Sequence, residues 1–348
     1  VHHFLSGESP LHKGILEPWE KAVEEQSGGR IDVQLFPSMQ LGGKPPQLFD
    51  QARDGIVDIS WTLLSYTPGR FPVAEVFELP FMGGTATQTT MALQEFQAKH
   101  LGDELAQVHP LLIHAPAAYK IHMKTKPVAG LPDLAGMKIR APSRQMTEAL
   151  NALGATAVGM PVPEVAQALT TGVIDGAVIP WEVFGSLRIE SVAKNHTEMG
   201  VENGGMSTSV FALVMNKAKY EGLPDDLKKV IDDNSGANLA PLAGKALDEA
   251  EAAERQKALD AGGTVTVIPE ADLAAWKERT QPVFDAWVKT VTDAGQNGQA
   301  ILDDARAALA AARDWAKSRI IGGAPLAQRQ GIQWMLADMA TDLAAAEL

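Results

Sequence analysis

The sequence predicts an α/β protein with two similar lobes, and three observations support this. The chain has 348 residues, 45% hydrophobic and 21% charged, which is long enough for two domains and excludes disorder by composition. A strand-helix-strand unit occurs twice, which favours two lobes over one long sheet. Residues 224–261 and 271–311 are alanine-rich with charges at helical spacing, so they predict long helices.

The first copy of the unit covers residues 30–61. Alternating apolar residues in RIDVQLFP (30–37) predict a strand, and PPQLFDQARDG (45–55) predicts a helix that begins at a proline pair and ends at a glycine. IVDISW (56–61) then predicts a second strand.

The second copy follows the strand GMKIR (136–140), after which Ser143 is the expected N-cap of a helix. AVGM (157–160) predicts a strand, PVPEVAQALTTG (161–172) a helix and VIDGAVIPW (173–181) a strand. When the two copies are aligned, GIVD (55–58) corresponds to GVID (172–175). A chance match remains the alternative, because any α/β chain can produce one such pair.

The remaining elements follow from the same patterns. Further strands are predicted at residues 1–5, 109–128, 209–216 and 264–269, and further helices at 182–193 and 326–348.

Composition also excludes several classes of function. A formal charge of −13 argues against binding nucleic acid or anionic membranes, which requires clustered Lys and Arg. The absence of cysteine removes disulfides, thiolate catalysis and Cys-ligated metals. The eight histidines lack metal-ligand spacing, and the common catalytic and nucleotide-binding motifs are absent, so neither metal nor cofactor is expected.

Arg140 is the leading candidate for a binding residue. It ends a short strand just before a helix, where a planar guanidinium and free helix N–H groups would favour a carboxylate. Because arginines at strand ends often make ordinary salt bridges, position alone favours a structural salt bridge over a ligand contact.

Several ordered motifs resemble one family. GGRIDVQLFPSMQLGG, ARDGIVDISW, VFELPF, GMKIRAP, MPVPEVAQAL, GVIDGAVIPW and VMNKAKYEGLP are similar to the DctP-type substrate-binding proteins of tripartite ATP-independent periplasmic (TRAP) transporters, over about residues 1–312. The resemblance implies a two-lobed periplasmic-binding-protein-like α/β fold with long bracing C-terminal helices. It implies lobe I from 1–117 and 208–250, lobe II from 118–207 and 251–285, and C-terminal helices over 286–348, with an extra tail from about 313.

The resemblance also implies the function. A periplasmic protein of this kind closes over an organic acid and delivers it to small and large integral membrane subunits, without catalysis. The chain begins at Val1 without a leader, which suits a mature form whose signal peptide was removed or a shortened chain. The tail from about 313 could form a dimer contact or pack on the same chain.

Carried over by motif, the carboxylate-binding arginine of the family falls on Arg140. Lys120 and His122 are equally defensible for a second polar contact, and Arg144 either reinforces the anion site or lies on a solvated helix face. The expected apolar walls are Trp61, Leu63, Tyr119, Met160, Ile179, Trp181 and Met206.

These apolar walls favour an aromatic or short apolar monocarboxylate. A sugar acid or a keto or hydroxy acid is the alternative within the same family. A more distant alternative is an enzyme that uses Arg140 as a substrate clamp and Asp175 or Glu182 as a base.

Overall fold

The computed structural model describes residues 1–318, 320–321 and 324–325. The predicted helix at 326–348, and with it most of the tail, lies outside these residues. Within them, no helix combines the length and apolar character needed to cross a bilayer. The strands are β1 (Ile59–Leu63), β2 (Val108–His114), β3 (Lys120–Met123), β4 (Lys138–Ala141), β5 (Thr156–Gly159), β6 (Gly176–Ile179), β7 (Asn195–Glu198), β8 (Phe211–Asn216), β9 (Thr264–Val267), β10 (Ile320–Ile321) and β11 (Ala324–Pro325).

Helices surround these strands. The α-helices are α1 (Glu17–Gln26), α2 (Leu48–Arg53), α3 (Ala86–His100), α4 (Arg144–Ala152), α5 (Val165–Thr171), α6 (Lys217–Glu221), α7 (Asp225–Asp233), α8 (Gly236–Asp260), α9 (Glu270–Asp293) and α10 (Gly298–Ser318).

The first sheet is antiparallel, in the order β1-β8-β2. The strand expected at residues 30–37 forms only an isolated bridge, between Phe36 and His2, and His2 also bridges to Ser60. The N-terminal residues hydrogen-bond to the backbone of the 30–37 segment: Phe36 N donates to Val1 O, and His3 N donates to Phe36 O. The expectation of full strands at 30–37 and 1–5 is therefore wrong, although both segments lie beside β1.

The second sheet has the order β5-β4-β6-β3-β7-β9. Strands β4, β5 and β6 are parallel and connected by helices, whereas β3 runs antiparallel to β6 and β7. Ser143 caps α4 as expected, because its hydroxyl accepts a hydrogen bond from Met146 N at 3.3 Å. Gly172 ends α5 in the left-handed region, at φ 74°, which a side chain would disfavour.

The helix expected at residues 182–193 does not form. Turns occupy this segment, followed by a short 3₁₀ helix at Ile189–Ser191. Arg188 adopts φ 57°, and this left-handed backbone is incompatible with a continuous α-helix.

Helix α8 connects the two sheets. Toward its middle, the Asp248 carboxylate accepts from the N–H groups of Ala86 and Thr87 at the start of α3, beside the first sheet. One turn later, Glu251 pairs with Lys120 on β3 of the second sheet. A single continuous helix thus braces both sheets, and it crosses the predicted lobe boundary at 250. The exact lobe boundaries stay a prediction.

Candidate functional site

A cavity lies where the two sheets face each other. The enclosed room is about 30 Å³, and the total empty space, which includes space open to solvent, is about 510 Å³. Both sheets, the N-terminal segment and α8 contribute to the lining. The lining residues are Phe4, Leu5, Pro10, Leu11, Trp61, Leu63, Tyr66, His114, Pro116, Tyr119, Arg140, Val162, Ile179, Pro180, Glu182, Val183, Phe211 and Leu247. Most of these are apolar or aromatic, which is typical of a small-molecule site with a few polar groups that fix orientation.

Among the described residues, Arg140 supplies the one guanidinium that lines this cavity, and only 2% of its surface is exposed. Its Nε donates to Met160 O at 3.0 Å and its Nη1 donates to Val178 O at 3.0 Å. These two bonds fix the side chain. Within the described part of the chain, no carboxylate lies within 4.0 Å of the guanidinium as an ion-pair partner, so its charge is buried without a paired counter-ion.

Two tyrosines accompany Arg140. Burial lowers the pKa of Arg140, and the neighbouring Tyr66 and Tyr119 oppose that lowering. Burial also raises the pKa of both tyrosines above the ordinary value, so both hydroxyls stay protonated at neutral pH. The Tyr66 hydroxyl accepts from Val162 N at 2.8 Å, which leaves its own proton available to another acceptor. This group of cationic and hydroxyl donors is suited to an anionic oxygen.

An aromatic wall from the first sheet faces this donor group. Trp61 stacks on Phe211 with ring centroids 4.6 Å apart and 5° between the planes, and it contacts Phe4 at 4.9 Å. The Trp61 indole Nε1 donates to His114 Nε2 at 2.8 Å. Such offset aromatic surfaces bind a flat apolar ring.

Glu182 also lines the cavity, and the carboxyl is buried. Burial holds its pKa well above the ordinary range, and the adjacent Glu251 raises it further. The raised pKa favours the neutral carboxyl, which repels a bound anion less than a carboxylate does.

Five of the residues expected to bind ligand come together here: Trp61, Leu63, Tyr119, Arg140 and Ile179. Their contact with ligand stays a prediction. Met160 contributes its backbone carbonyl to Arg140, and its side chain does not line the cavity.

Trp181 and His122 lie elsewhere, which corrects the expectation that they border the ligand. The Trp181 ring packs against His122 and His196 at 4.5 Å each, and its Nε1 donates to Glu198 Oε1 at 3.0 Å. His122 is buried in the same group, with Nδ1 2.9 Å from His196 Nδ1. Both side chains are buried, and neither lines the cavity.

The remaining three expectations are corrected in the same way. The Lys120 ammonium is paired with Glu251 on α8, so it does not face the cavity. The Arg144 side chain is 37% exposed, and its guanidinium lies 3.7 Å from Glu75 and within 4.0 Å of Glu148. Met206 is buried in the larger hydrophobic core.

Sequence reasoning missed Tyr66, His114 and Phe211. Tyr66 follows β1 by three residues, and His114 is the last residue of β2, so each is a polar group at the end of a buried strand. This position at a strand end is the feature of the sequence that could have indicated Tyr66 and His114. The described residues contain no group of three or more His, Asp or Glu side chains arranged to hold a metal ion.

These features define a class: a two-lobed α/β binding protein whose lobes enclose a cavity with one buried arginine. Comparison with known proteins supplies the family. Residues 1–290 match the model described as bacterial extracellular solute-binding protein, family 7 (DctP), and the chain belongs to this family. Residues 295–348 separately match the C-terminal domain of acyl-CoA dehydrogenases.

Solved structures of TRAP solute-binding proteins show the same fold. One comes from an unidentified marine microbe, is specific for aromatic acids and was solved with metahydroxyphenylacetate and with 3-hydroxybenzoate. It is 44% identical, covers 89% of this chain and 97% of that chain, and has a TM-score of 0.87. A protein of Rhodoferax ferrireducens, in complex with copurified benzoate, is 40% identical over 90% of this chain and 97% of its own, with a TM-score of 0.87.

A curated relative agrees. The C4-dicarboxylate-binding periplasmic protein DctP of Rhodobacter capsulatus is 28% identical, with 83% of this chain and 86% of that protein covered. The chain is therefore a solute-binding protein of the TRAP transport class, with the two-lobed α/β fold that its motifs predict.

Proposed function

We propose that this protein captures an aromatic or short apolar monocarboxylate in the cavity around Arg140 and delivers it, unchanged, to TRAP membrane subunits. The observation that carries this proposal is that the buried Arg140 has no ion-pair partner among the described residues. An unpaired ion in a protein interior costs several kcal/mol, so a ligand carboxylate is the natural counter-ion. Nε and Nη1 donate to backbone carbonyls and Tyr66 hydrogen-bonds the guanidinium, so the described contacts are all with neutral groups.

The walls of the cavity support the aromatic preference. Trp61, Phe4 and Phe211 offer aromatic faces, and Ile179 and Leu63 complete an apolar surface. A sugar acid needs hydrogen-bond partners for several hydroxyls, and leaving them unmade costs roughly 1–3 kcal/mol each. The similar marine and Rhodoferax proteins, which bind aromatic acids, support the same choice.

The proposed mechanism is hinge closure. Residues from both sheets line the cavity, and most of the lining side chains are buried in this conformation. A ligand that contacts both sheets therefore favours the closed state. Small-angle scattering should show a smaller radius of gyration with benzoate than without it. Equal radii in the two samples would contradict closure.

Titration calorimetry with benzoate tests the carboxylate site. We expect Arg140→Ala to lose about 2–5 kcal/mol of binding free energy, and Arg140→Lys to lose part of it, because an ammonium lacks the planar fork. Arg144→Ala is the matched control, since Arg144 is outside the cavity. Thermal melting checks that the variants fold. Unchanged affinity in folded Arg140→Ala would refute the carboxylate assignment.

The proposal includes the absence of catalysis. The other suggested base, Asp175, accepts a hydrogen bond from Lys138 N at 2.8 Å and does not line the cavity. Incubating stoichiometric benzoate with the protein and recovering it by chromatography should return the acid unchanged. A product peak that is absent in Arg140→Ala would support the enzyme alternative.

Location and partners follow from the family. A periplasmic location and docking to the small and large membrane subunits are proposed on that support. A dimer contact through the tail from about 313 is also testable, by mass measurement of the full chain and of a chain ending at residue 312. A monomeric mass for the full chain would exclude that contact.

A further inference from the structure

His114 lies on the wall of the cavity formed by the first sheet, whereas Arg140 lies on the wall formed by the second. His114 is the last residue of β2 and is only 1% exposed. Its ring stacks against Phe211 at 5.7 Å and Trp61 at 6.0 Å, and these two aromatic neighbours restrict its orientation.

The tautomer of His114 follows from its one hydrogen bond. An indole Nε1–H is only a donor, so the 2.8 Å contact with Trp61 requires His114 Nε2 to be the acceptor. Burial lowers the pKa of His114 to about 3, and the ring is therefore neutral at physiological pH. A neutral imidazole that accepts at Nε2 carries its proton on Nδ1.

This Nδ1–H group is buried and has no hydrogen-bond partner among the described residues. Buried donors in folded proteins almost always have a partner, and an exception calls for a specific explanation. His114 also lines the ligand cavity, so a molecule bound there is the candidate to supply the missing acceptor.

We propose that His114 Nδ1–H is a second recognition point, which selects aromatic monocarboxylates that carry a hydrogen-bond acceptor, such as a ring hydroxyl, remote from the carboxylate. This rests on the proposed function, with the carboxylate held at Arg140. The Trp61 indole acts as a positioning group, because its hydrogen bond holds His114 in the donor tautomer.

The test compares 3-hydroxybenzoate with 3-methylbenzoate, which is similar in shape and lacks the acceptor, and with benzoate. Calorimetry on the unaltered protein should show 3-hydroxybenzoate binding about tenfold more tightly than 3-methylbenzoate, the effect of one hydrogen bond to a buried donor. In His114→Phe the ratio of the two affinities should fall to about one. In Trp61→Phe the ratio should fall partway, since His114 is then free to exchange tautomers.

A measurement on the unaltered protein avoids any dependence on variant folding. In protein labelled with ¹⁵N-histidine, the Nδ1–H resonance of His114 should move on addition of 3-hydroxybenzoate and stay near its free position with 3-methylbenzoate. Equal shifts with both acids, equal affinities, or a ratio unchanged in His114→Phe would overturn the role of His114 while leaving the proposed function intact. Failure of all three acids to bind would instead overturn the proposed function.

Discussion

Trp61 and Trp181 follow the two copies of the repeated strand-helix-strand unit, yet they lie in different environments. Trp61 lies on β1, faces the cavity and donates its indole N–H to the cavity residue His114. Trp181 lies just beyond β6, away from the cavity, and its N–H goes to Glu198 in the core of the second sheet. A repeat in the sequence thus does not imply that matched residues have the same environment.

The physical cause is where each residue falls relative to the end of its strand. Trp61 is inside β1, so the alternation of the strand places it on the same face as Leu63. Trp181 comes after β6 has ended at Ile179 and after Pro180, which breaks the strand pattern. Beyond that point Glu251 holds the Trp181 backbone N–H at 2.7 Å, and the ring turns toward His122 and His196.

The largest expected effect is a difference in stability between alanine variants of the two tryptophans. Trp181→Ala should reduce the free energy of unfolding by about 3–5 kcal/mol, because it removes a fully packed core ring. Trp61→Ala should cost less stability and more benzoate affinity, since its ring already borders empty space. Urea unfolding and calorimetry on both variants measure the two quantities. The reverse pattern, with Trp181→Ala stable but unable to bind, would restore Trp181 to the site.

The sequence predicted the parts of this site that depend on local pattern. Strand alternation and the helix-ending glycines placed β1, β4 and β6, and through them Trp61, Arg140 and Ile179. The alternation within each strand is a short-range property, so it can be read without knowing what the strand pairs with.

The rest depends on long-range pairing that no local pattern encodes. His114 reaches Trp61 because β2 and β1 flank β8 in one register, with both His114 and Leu63 opposite Phe211. Similarly, Lys120 was a reasonable anion contact until the fold placed Glu251 of α8 beside it. A charged side chain is available to a ligand only if the fold does not pair it with an oppositely charged residue from elsewhere in the chain.

The surroundings of Trp181 should also make the protein sensitive to acid. Burial lowers the pKa of His196 to about 4, and burial together with His196 lowers the pKa of His122 well below its ordinary value. Between about pH 6.5 and 4 the unfolded chain therefore binds protons that the native state does not, and stability falls as pH falls. Removing His196 should reduce by about 2 kcal/mol the free energy of unfolding that is lost between pH 7 and pH 5.

Urea unfolding of the unaltered protein and of His196→Asn at pH 8, 7 and 5 measures this. The two stability curves should run parallel from pH 8 to 7, where the ring is neutral in both states, and diverge below. Curves that stay parallel down to pH 5 would show that His196 is protonated in the native state and that the core around Trp181 is more open than the structure shows.

The smallest expected effect concerns Arg144, the first residue of α4. Arg144→Ala should change benzoate affinity by less than about 0.5 kcal/mol, because a part-exposed side chain with carboxylate neighbours makes only a weak, salt-screened contribution. Arg140, four residues earlier, is buried beside the cavity and lacks such a neighbour. Calorimetry at low and at high salt distinguishes the two roles. A loss that disappears at high salt would reflect long-range attraction of the anion, whereas a salt-independent loss above 1.4 kcal/mol, tenfold in affinity, would place Arg144 in contact with the ligand.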